Sequence, residues 1–268
     1  MPELPEVETI ARQIRQSYLN LEIKTIEAQP VKIFQNISAE EFCFRLQGKK
    51  LNSVNRYGKY LIWKLENFFA VYHLGMSGIF LRNIKYSRYP KYIHICFQFE
   101  DGQWLFFQDV RKFSKIFLYS NKPKFNNIGI DPLTKKFTLN KFKELLNLSG
   151  MNIKTFLMDQ KFIAGIGNIY ANEALFLAGI VPFRPANQIK AEEAERLFKA
   201  IQQVLTQAIQ NFGTSYSVYR TVEGNAGDNQ NYLKIYQREG EDCFRCGARI
   251  MKTVINSRST FYCPNCQK

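Results

Sequence analysis

Cys243-Phe-Arg-Cys246, sixteen intervening residues, then Cys263-Pro-Asn-Cys266 decide how the end of this chain folds. A C-x-x-C loop turns back on itself and presents two thiolates at once, so two of them make a tetrahedral site for one Zn²⁺. A redox dithiol explains a single C-x-x-C but not a pair. Four thiolates close the coordination shell and leave no position for a catalytic water, so the ion is structural. It contributes on the order of 10 kcal/mol to a module too small to hold together otherwise. Residues 250–255 and 259–262 read as the two strands of a hairpin between the knuckles, with Arg258 near its tip. Taken alone, Arg258 reads equally well as a solvated surface charge. Cys43 and Cys96 stand apart in apolar contexts and read as buried thiols. Clustering of the other four argues for a metal and against a disulfide framework spread over a secreted fold.

Upstream of the cysteines the chain changes character twice. Residues 214–231, rich in Gly, Asn, Ser and Thr, read as a long mobile loop. Before it, Ala194, Leu197, Phe198 and Ile201 form one apolar stripe at helical spacing, and Ala171, Ala174, Leu175 and Ala178 another. Lys161-Phe-Ile-Ala-Gly165-Ile-Gly167-Asn168 leads into that second helix. Glycines at a helix start free backbone N–H groups for an anion. The same text also fits a plain interhelical turn with Asn168 as N-cap. Residues 121–136 carry Pro123, Asn126-Asn127, Gly129 and Pro132 and read as an interdomain linker.

From about residue 21 to residue 120 the pattern is that of strands. Tyr60-Leu-Ile-Trp63, Phe69-Ala-Val-Tyr72 and Leu105-Phe-Phe107 are short apolar runs, and Asp101-Gly102 is a hairpin turn between two such runs. Val7, Ile10, Ala11 and Ile14 predict a helix beginning near Pro5-Glu6. The reading is an α+β protein: a β-sandwich with a leading helix, a helical segment, and a zinc hairpin.

The formal net charge is +14. With no basic amphipathic helix in view, and with basic residues often beside aromatics, the partner that such a charge favours is nucleic acid. No apolar run approaches a membrane span. The start, Met1-Pro-Glu-Leu-Pro-Glu6, is acidic and lacks an apolar region. It is no secretory leader, and the expected place is the cytoplasm, including the nucleoid.

Pro2 follows the initiator methionine. Once Met1 is removed, its nitrogen is a secondary amine with a pKa of about 8, so a useful fraction is neutral near pH 7. A secondary amine bonding to a sugar C1′ gives an iminium that is cationic without further protonation, an electron sink for elimination at the next carbon. Glu3 beside it can protonate the sugar oxygen. The plainer reading is that Pro2 and Pro5 stiffen a helix start and Glu3, Glu6 and Glu8 complement its dipole.

These pieces resemble one family. Pro2-Glu-Leu-Pro-Glu-Val-Glu-Thr9, Arg56-Tyr-Gly-Lys59-Tyr60, His73-Leu-Gly-Met76-Ser-Gly78, Asp109-Val-Arg111-Lys-Phe113, Leu157-Met-Asp-Gln-Lys161, Gly165-Ile-Gly-Asn168 and Arg258-Ser-Thr-Phe-Tyr-Cys263 occur in the order found in formamidopyrimidine-DNA glycosylases. The likeness runs from residue 2 to residue 267. It implies an N-terminal β-sandwich domain (1–130), a helix-two-turns-helix domain (131–237) and a zinc finger (238–268). It implies excision of oxidised purines from double-stranded DNA and lyase cleavage at abasic sites by a monomer.

By the same resemblance, Pro2 is the Schiff-base nucleophile and Glu3 the general acid. Lys59 assists β-elimination, and Arg258 is the zinc-finger arginine of δ-elimination. Met76, Arg111 and Phe113 match the side chains that fill the gap left by an extruded base, with Arg111 facing the orphaned cytosine. Lys154 and Asn168 match a lysine and a phosphate-binding asparagine of the family, and 214–228 the loop that closes over the damaged base. Cys243, Cys246, Cys263 and Cys266 hold the zinc. Extrusion costs a few kcal/mol, and an apolar wedge such as Met76 and Phe113 replaces the lost stacking.

Three positions depart from the usual pattern: Tyr92 stands for a common histidine, Val110 for a proline and Ser114 for a glycine. Leu4 favours the purine-directed branch, since the related endonuclease VIII branch, directed at oxidised pyrimidines, typically has glycine there. A non-catalytic zinc-finger DNA-binding homologue is the reading from another class, and it predicts a retained Met1.

Overall fold

The structure is a computed structural model that describes residues 1–216 and 218–268. Of the loop expected at 214–228, Ser217 lies outside the described residues. The chain divides into two compact units, one of residues 1–125 with 209–230 and one of residues 126–208 with 231–268. The first cut falls inside the 121–136 stretch. Residues 209–230 cluster with the N-terminal unit rather than the helical one, and the cysteine module clusters with the helices.

The first unit is a sandwich of two antiparallel sheets behind helix α1 (Leu4–Tyr18). One sheet has β1 (Ile23–Ala28), β6 (Ile93–Phe99), β7 (Trp104–Asp109) and β5 (Gly78–Leu81) in that order. The other has β2 (Leu51–Tyr57), β3 (Tyr60–Leu65), β4 (Phe68–His73) and β8 (Lys115–Tyr119). Alternate residues of each strand point inward, so Leu61, Trp63 and Leu65 of β3 are all fully buried. Aromatic rings interlock between the layers: Trp63 lies 5.2 Å from Phe97 and 5.4 Å from Phe80, and Tyr72 lies 5.3 Å from Phe80. Helix α1 closes the core with Val7, Ile10, Ala11 and Ile14, as their spacing predicts. The Arg15 side chain donates to Val54 O at 3.0 Å and Tyr18 Oη to Trp104 O at 2.7 Å, which fixes the helix on the sandwich. The hairpin at Asp101-Gly102 joins β6 to β7, and Gly102 takes a φ of +86°.

Three details differ from the sequence reading. A helix α2 (Ala39–Leu46) interrupts the region read as strands, and the Ser38 side chain caps it by accepting from Glu41 N at 3.1 Å. Cys43 and Cys96 are half-buried rather than buried. The segment read as a mobile loop sinks two apolar side chains, Tyr219 and Val222, into the sandwich core. Val222 N donates to Gln13 Oε1 at 2.8 Å, and Arg82 pairs with Glu223 at 2.8 Å.

The second unit packs α3 (Leu139–Asn147), α4 (Ile153–Met158) and α5 (Asn168–Ala178) with α6 (Ala191–Gln210). Phe142, Phe156 and Leu157 are fully buried, and most of α5 is buried all round. Gly179 ends α5 with a φ of +72°, the left-handed cap that glycine adopts without a Cβ penalty. The unit finishes in a hairpin of β9 (Met251–Ile255) and β10 (Arg258–Tyr262). Among the described residues no helix is long and apolar enough to cross a membrane.

Candidate active site

The chain start is organised by a capping box. Glu3 N donates to Glu6 Oε2 at 2.7 Å, and the Glu3 carboxylate accepts from the Glu6 backbone, satisfying donors that the first turn of α1 cannot pair internally. Pro2, Glu3 and Glu6 are buried. The second Glu6 oxygen accepts from Thr214 N at 2.9 Å, so one carboxylate holds both the residues after Pro2 and the beginning of the 214–228 loop. Met1 precedes Pro2 in the chain, and the Pro2 nitrogen is then an amide.

Lys59 sits in the two-residue turn between β2 and β3, beside Gly58 with its φ of +55°, and is only 6 % exposed. Arg56 reaches from β2 to both neighbours of this turn. Its Nε donates to Glu8 Oε2 of α1 at 3.1 Å, and its Nη1 donates to Gly58 O at 3.3 Å. The helix that begins at Pro2-Glu3 and the turn that carries Lys59 are thereby bound to one guanidinium. His73 lies alongside: burial, with the charges of Lys59 and Lys115, lowers its pKa to about 4. Its ring is therefore neutral near pH 7, and Nδ1 accepts from Gly75 N at 3.2 Å.

Met76 and Phe113 are exposed, at 39 % and 47 %, on two loops pressed together at their backbones. Gly75 has a φ of +58°, and a Cβ there would stand 2.5 Å from Phe113 C. Asp109, fully buried, organises the second loop: Oδ2 accepts from Ser114 N at 2.8 Å, and Oδ1 accepts from the Ser77 hydroxyl and from Arg111 N. Ser114 returns its hydroxyl to Leu74 O at 3.0 Å, a use for the side chain that a glycine lacks. The Arg111 guanidinium lies over the Phe113 ring at 4.6 Å. Met76, Arg111 and Phe113 thus share one end of the sandwich. Tyr92 closes a short turn, half-buried, with Lys91 over its ring at 5.2 Å.

The Gly75→Ala variant is expected to lose about 1–3 kcal/mol through the strained φ and the clash with Phe113. Its melting temperature should fall by several degrees, read by calorimetry. An unchanged melt contradicts this account of the paired loops.

In the second unit, the hairpin tip Asn256-Ser257 has φ values of +47° and +58°, both left-handed, as a two-residue turn of this kind requires. Arg258 follows it, exposed. Two side chains converge on the next carbonyl: Lys154 Nζ donates to Ser259 O at 2.8 Å, and Asn168 Nδ2 donates to it at 3.1 Å. Lys154 also donates to Thr260 Oγ1 at 2.7 Å and is 1 % exposed. Its ammonium is an internal strut for the hairpin. Asn168 is not the N-cap of α5; Gly167 is, and Asn168 is the first helical residue. Gln160 staples the preceding turn by donating to Met158 O and Ile166 O and accepting from Gly165 N. Glu173, buried, accepts from the successive amides of Lys234, Ile235 and Tyr236 at 2.9–3.0 Å.

The thiol sulfurs of Cys243, Cys246, Cys263 and Cys266 lie within 4.8 Å of one another. The Cys243–Cys266 separation is 3.8 Å and Cys246–Cys263 is 3.5 Å. Tetrahedral zinc with bonds of about 2.3 Å sets its sulfurs roughly 3.8 Å apart, so the four thiols fit one ion. Arg245 N and Cys266 N each point at a thiol sulfur at 3.4 Å, holding the knuckles in shape.

Three family models match in order: the formamidopyrimidine-DNA glycosylase N-terminal domain over residues 1–116, its H2TH domain over 128–220, and the zinc finger found in FPG and IleRS over 240–268. The chain belongs to the formamidopyrimidine-DNA glycosylase family. Curated members from Carboxydothermus hydrogenoformans and Listeria monocytogenes are 42 % and 37 % identical to it, each with both chains covered in full. The MutM (Fpg) structure from Thermus thermophilus superposes with a TM-score of 0.88 at 34 % identity, covering 99 % of this chain and 98 % of that one. Lactococcus lactis Fpg in complex with abasic-site DNA gives 0.89 at 35 % identity, covering 99 % of each.

The motifs of this glycosylase family drew attention to Lys59, Met76, Arg111 and Phe113 but not to the side chains that hold their loops in place. Arg56 and Asp109 are such cases. Arg56 lies within the same short motif as Lys59, and its partner Glu8 stands among the helix-start glutamates, so a signal was present.

Proposed function

We propose that the chain excises oxidised purines from duplex DNA and then cuts the abasic strand by successive β- and δ-elimination through an adduct on Pro2. The observation that carries this reading is the single end of the sandwich that holds Pro2-Glu3, the Lys59 turn bound to the same helix through Arg56, and the exposed Met76, Arg111 and Phe113. Freed of Met1, the Pro2 nitrogen bonds to C1′ while the damaged base leaves with the electron pair of its glycosidic bond. Glu3 supplies the proton that opens the sugar ring and leaves an iminium. Loss of a C2′ proton, assisted by Lys59, then expels the 3′ phosphate. Loss of a C4′ proton expels the 5′ phosphate, with Arg258 held at its hairpin by Lys154 and Asn168.

Met76 and Phe113 take the space of the extruded base, and Arg111 offers donors to the base left behind. Relatives support the substrate class, since the Lactococcus lactis protein was solved with DNA carrying Fapy-dG. The protein acts as a monomer in the cytoplasm, on nucleoid DNA.

The test compares duplexes carrying 8-oxoguanine and thymine glycol, because the Lactococcus lactis protein was also solved with an oxidised pyrimidine. Strand cleavage is expected at least tenfold faster at 8-oxoguanine, with phosphate on both ends of a one-nucleoside gap. Faster cleavage at thymine glycol moves the chain to the pyrimidine-directed reading.

A further inference from the structure

The outer face of the β2-β3-β4-β8 sheet is not used by the chemistry above. Strands β2, β3, β4 and β8 contain no Asp or Glu at all, nor does the 120–125 segment that follows β8. The acid nearest in sequence, Glu66 in the β3–β4 turn, is paired with Lys49 at 3.0 Å. Against this, Lys64, Lys115, Lys122 and Lys124 are exposed cations on the strands or the segment. Aromatic rings lie between them. Phe117 and Tyr119, outward neighbours on β8, are stacked with ring centroids 6.0 Å apart and planes 12° apart, and Tyr119 is 37 % exposed. The strands of this face run toward the candidate site, because Lys115 pairs in register with His73, and His73 with Tyr60, the residue after Lys59, whose ring packs 5.3 Å from that of Phe125.

We propose that this face binds single-stranded DNA, with bases stacked on Phe117 and Tyr119 and phosphates against Lys64, Lys115, Lys122 and Lys124. Near-parallel aromatic rings recognise the open faces of bases, which a duplex hides within its own stack, and flanking lysines follow the backbone. An acid-free surface excludes a basic partner and suits a polyanion. The inference does not depend on which lesion is excised or on the nucleophile.

Fluorescence anisotropy of a labelled oligo-dT of about twelve nucleotides tests it. The Phe117→Leu/Tyr119→Leu pair keeps apolar volume and removes the rings; affinity for the oligonucleotide should fall roughly tenfold or more. Cleavage of a lesion-bearing duplex should stay within about twofold of the parent protein, the size of effect expected of groups outside that site. Lys122→Gln/Lys124→Gln, on an exposed segment and so harmless to the fold, should reduce the slope of log affinity against log salt by about 0.7 per lysine. Oligo-dT binding unchanged in the folded leucine pair, or an unchanged salt slope in the lysine pair, overturns the proposal. A loss of duplex cleavage in step with oligo-dT binding overturns it too, by merging the face with the duplex site. Tighter binding of oligo-rU than of oligo-dT overturns the assignment to DNA.

Discussion

A protein with one alanine left ahead of Pro2 is expected to form no borohydride-trapped adduct with abasic duplex DNA, and to cut it at least on the order of 10³-fold more slowly than protein that begins at Pro2. In the longer chain the proline nitrogen is an amide whose lone pair is delocalised into the carbonyl and has no nucleophilic character. In the shorter chain it is an amine with a pKa of about 8, largely available at mildly alkaline pH. Nothing else that the reading assigns is altered: the Glu3–Glu6 capping box, the Arg56 tie to the Lys59 turn and the exposed Met76, Arg111 and Phe113 all lie beyond residue 2. Binding of duplex DNA should therefore persist while chemistry is lost, which separates a blocked nucleophile from a damaged fold. Mass spectrometry of the terminus, a denaturing gel of the reduced reaction and a gel-shift on the same samples supply the three readings. Full activity from protein whose Pro2 is acylated sinks the Schiff-base assignment. It leaves the non-catalytic homologue excluded as well, and another nucleophile would have to be sought.

Much of this architecture was legible because it is written in short spacings. The Val7-Ile10-Ala11-Ile14 period needs only about two turns of helix to be read, and the paired C-x-x-C knuckles need only the bond geometry of zinc. The apolar run Tyr60-Leu-Ile-Trp63 marked a strand, and the structure shows it alternating, with Leu61 and Trp63 buried. Helix α2 escaped notice although Ser38-Ala-Glu-Glu41 is a good start signal, because its eight residues lie among strand-like text. Lys154 was named from its motif, but its role as a buried strut was not visible there. Sequence gives a lysine its charge but not its partners, and the carbonyl and hydroxyl that receive its ammonium lie more than a hundred residues downstream. The 214–231 segment is polar in composition, and that average hid the two apolar side chains, Tyr219 and Val222, that anchor it. Contacts between distant residues position these side chains, and short motifs do not record which distant residue each one meets.

Replacing Cys263 with alanine is expected to abolish zinc binding and, with it, DNA binding by about a hundredfold or more, while the sandwich stays folded. Structural zinc is worth about 10–16 kcal/mol in such modules, comparable to the whole stability of an ordinary domain. No local packing replaces it: the satellite core under the module is small, with Phe176, Ile235, Ile250 and Phe261 as its main apolar members. Cys263 is fully buried, and its amide donates to Gln267 Oε1, which in turn ties Gln267 to Ile180 O beyond α5. Once the hairpin melts, the Lys154 ammonium loses Ser259 O and Thr260 Oγ1 as acceptors, and a buried cation losing two partners strains the rest of the helical unit.

Two built-in controls make the outcome readable. Both tryptophans, Trp63 and Trp104, belong to the sandwich unit, so their fluorescence reports that unit and should hardly change. Arg258→Ala is the second control. It should keep one zinc per chain and the same melt but weaken DNA binding, because Arg258 is exposed and the turn that carries it is built by backbone φ values and the Lys154–Ser259 bond. Zinc retained by Cys263→Ala, or tight DNA binding by a zinc-free chain, breaks the proposed link from thiolates to hairpin to Arg258.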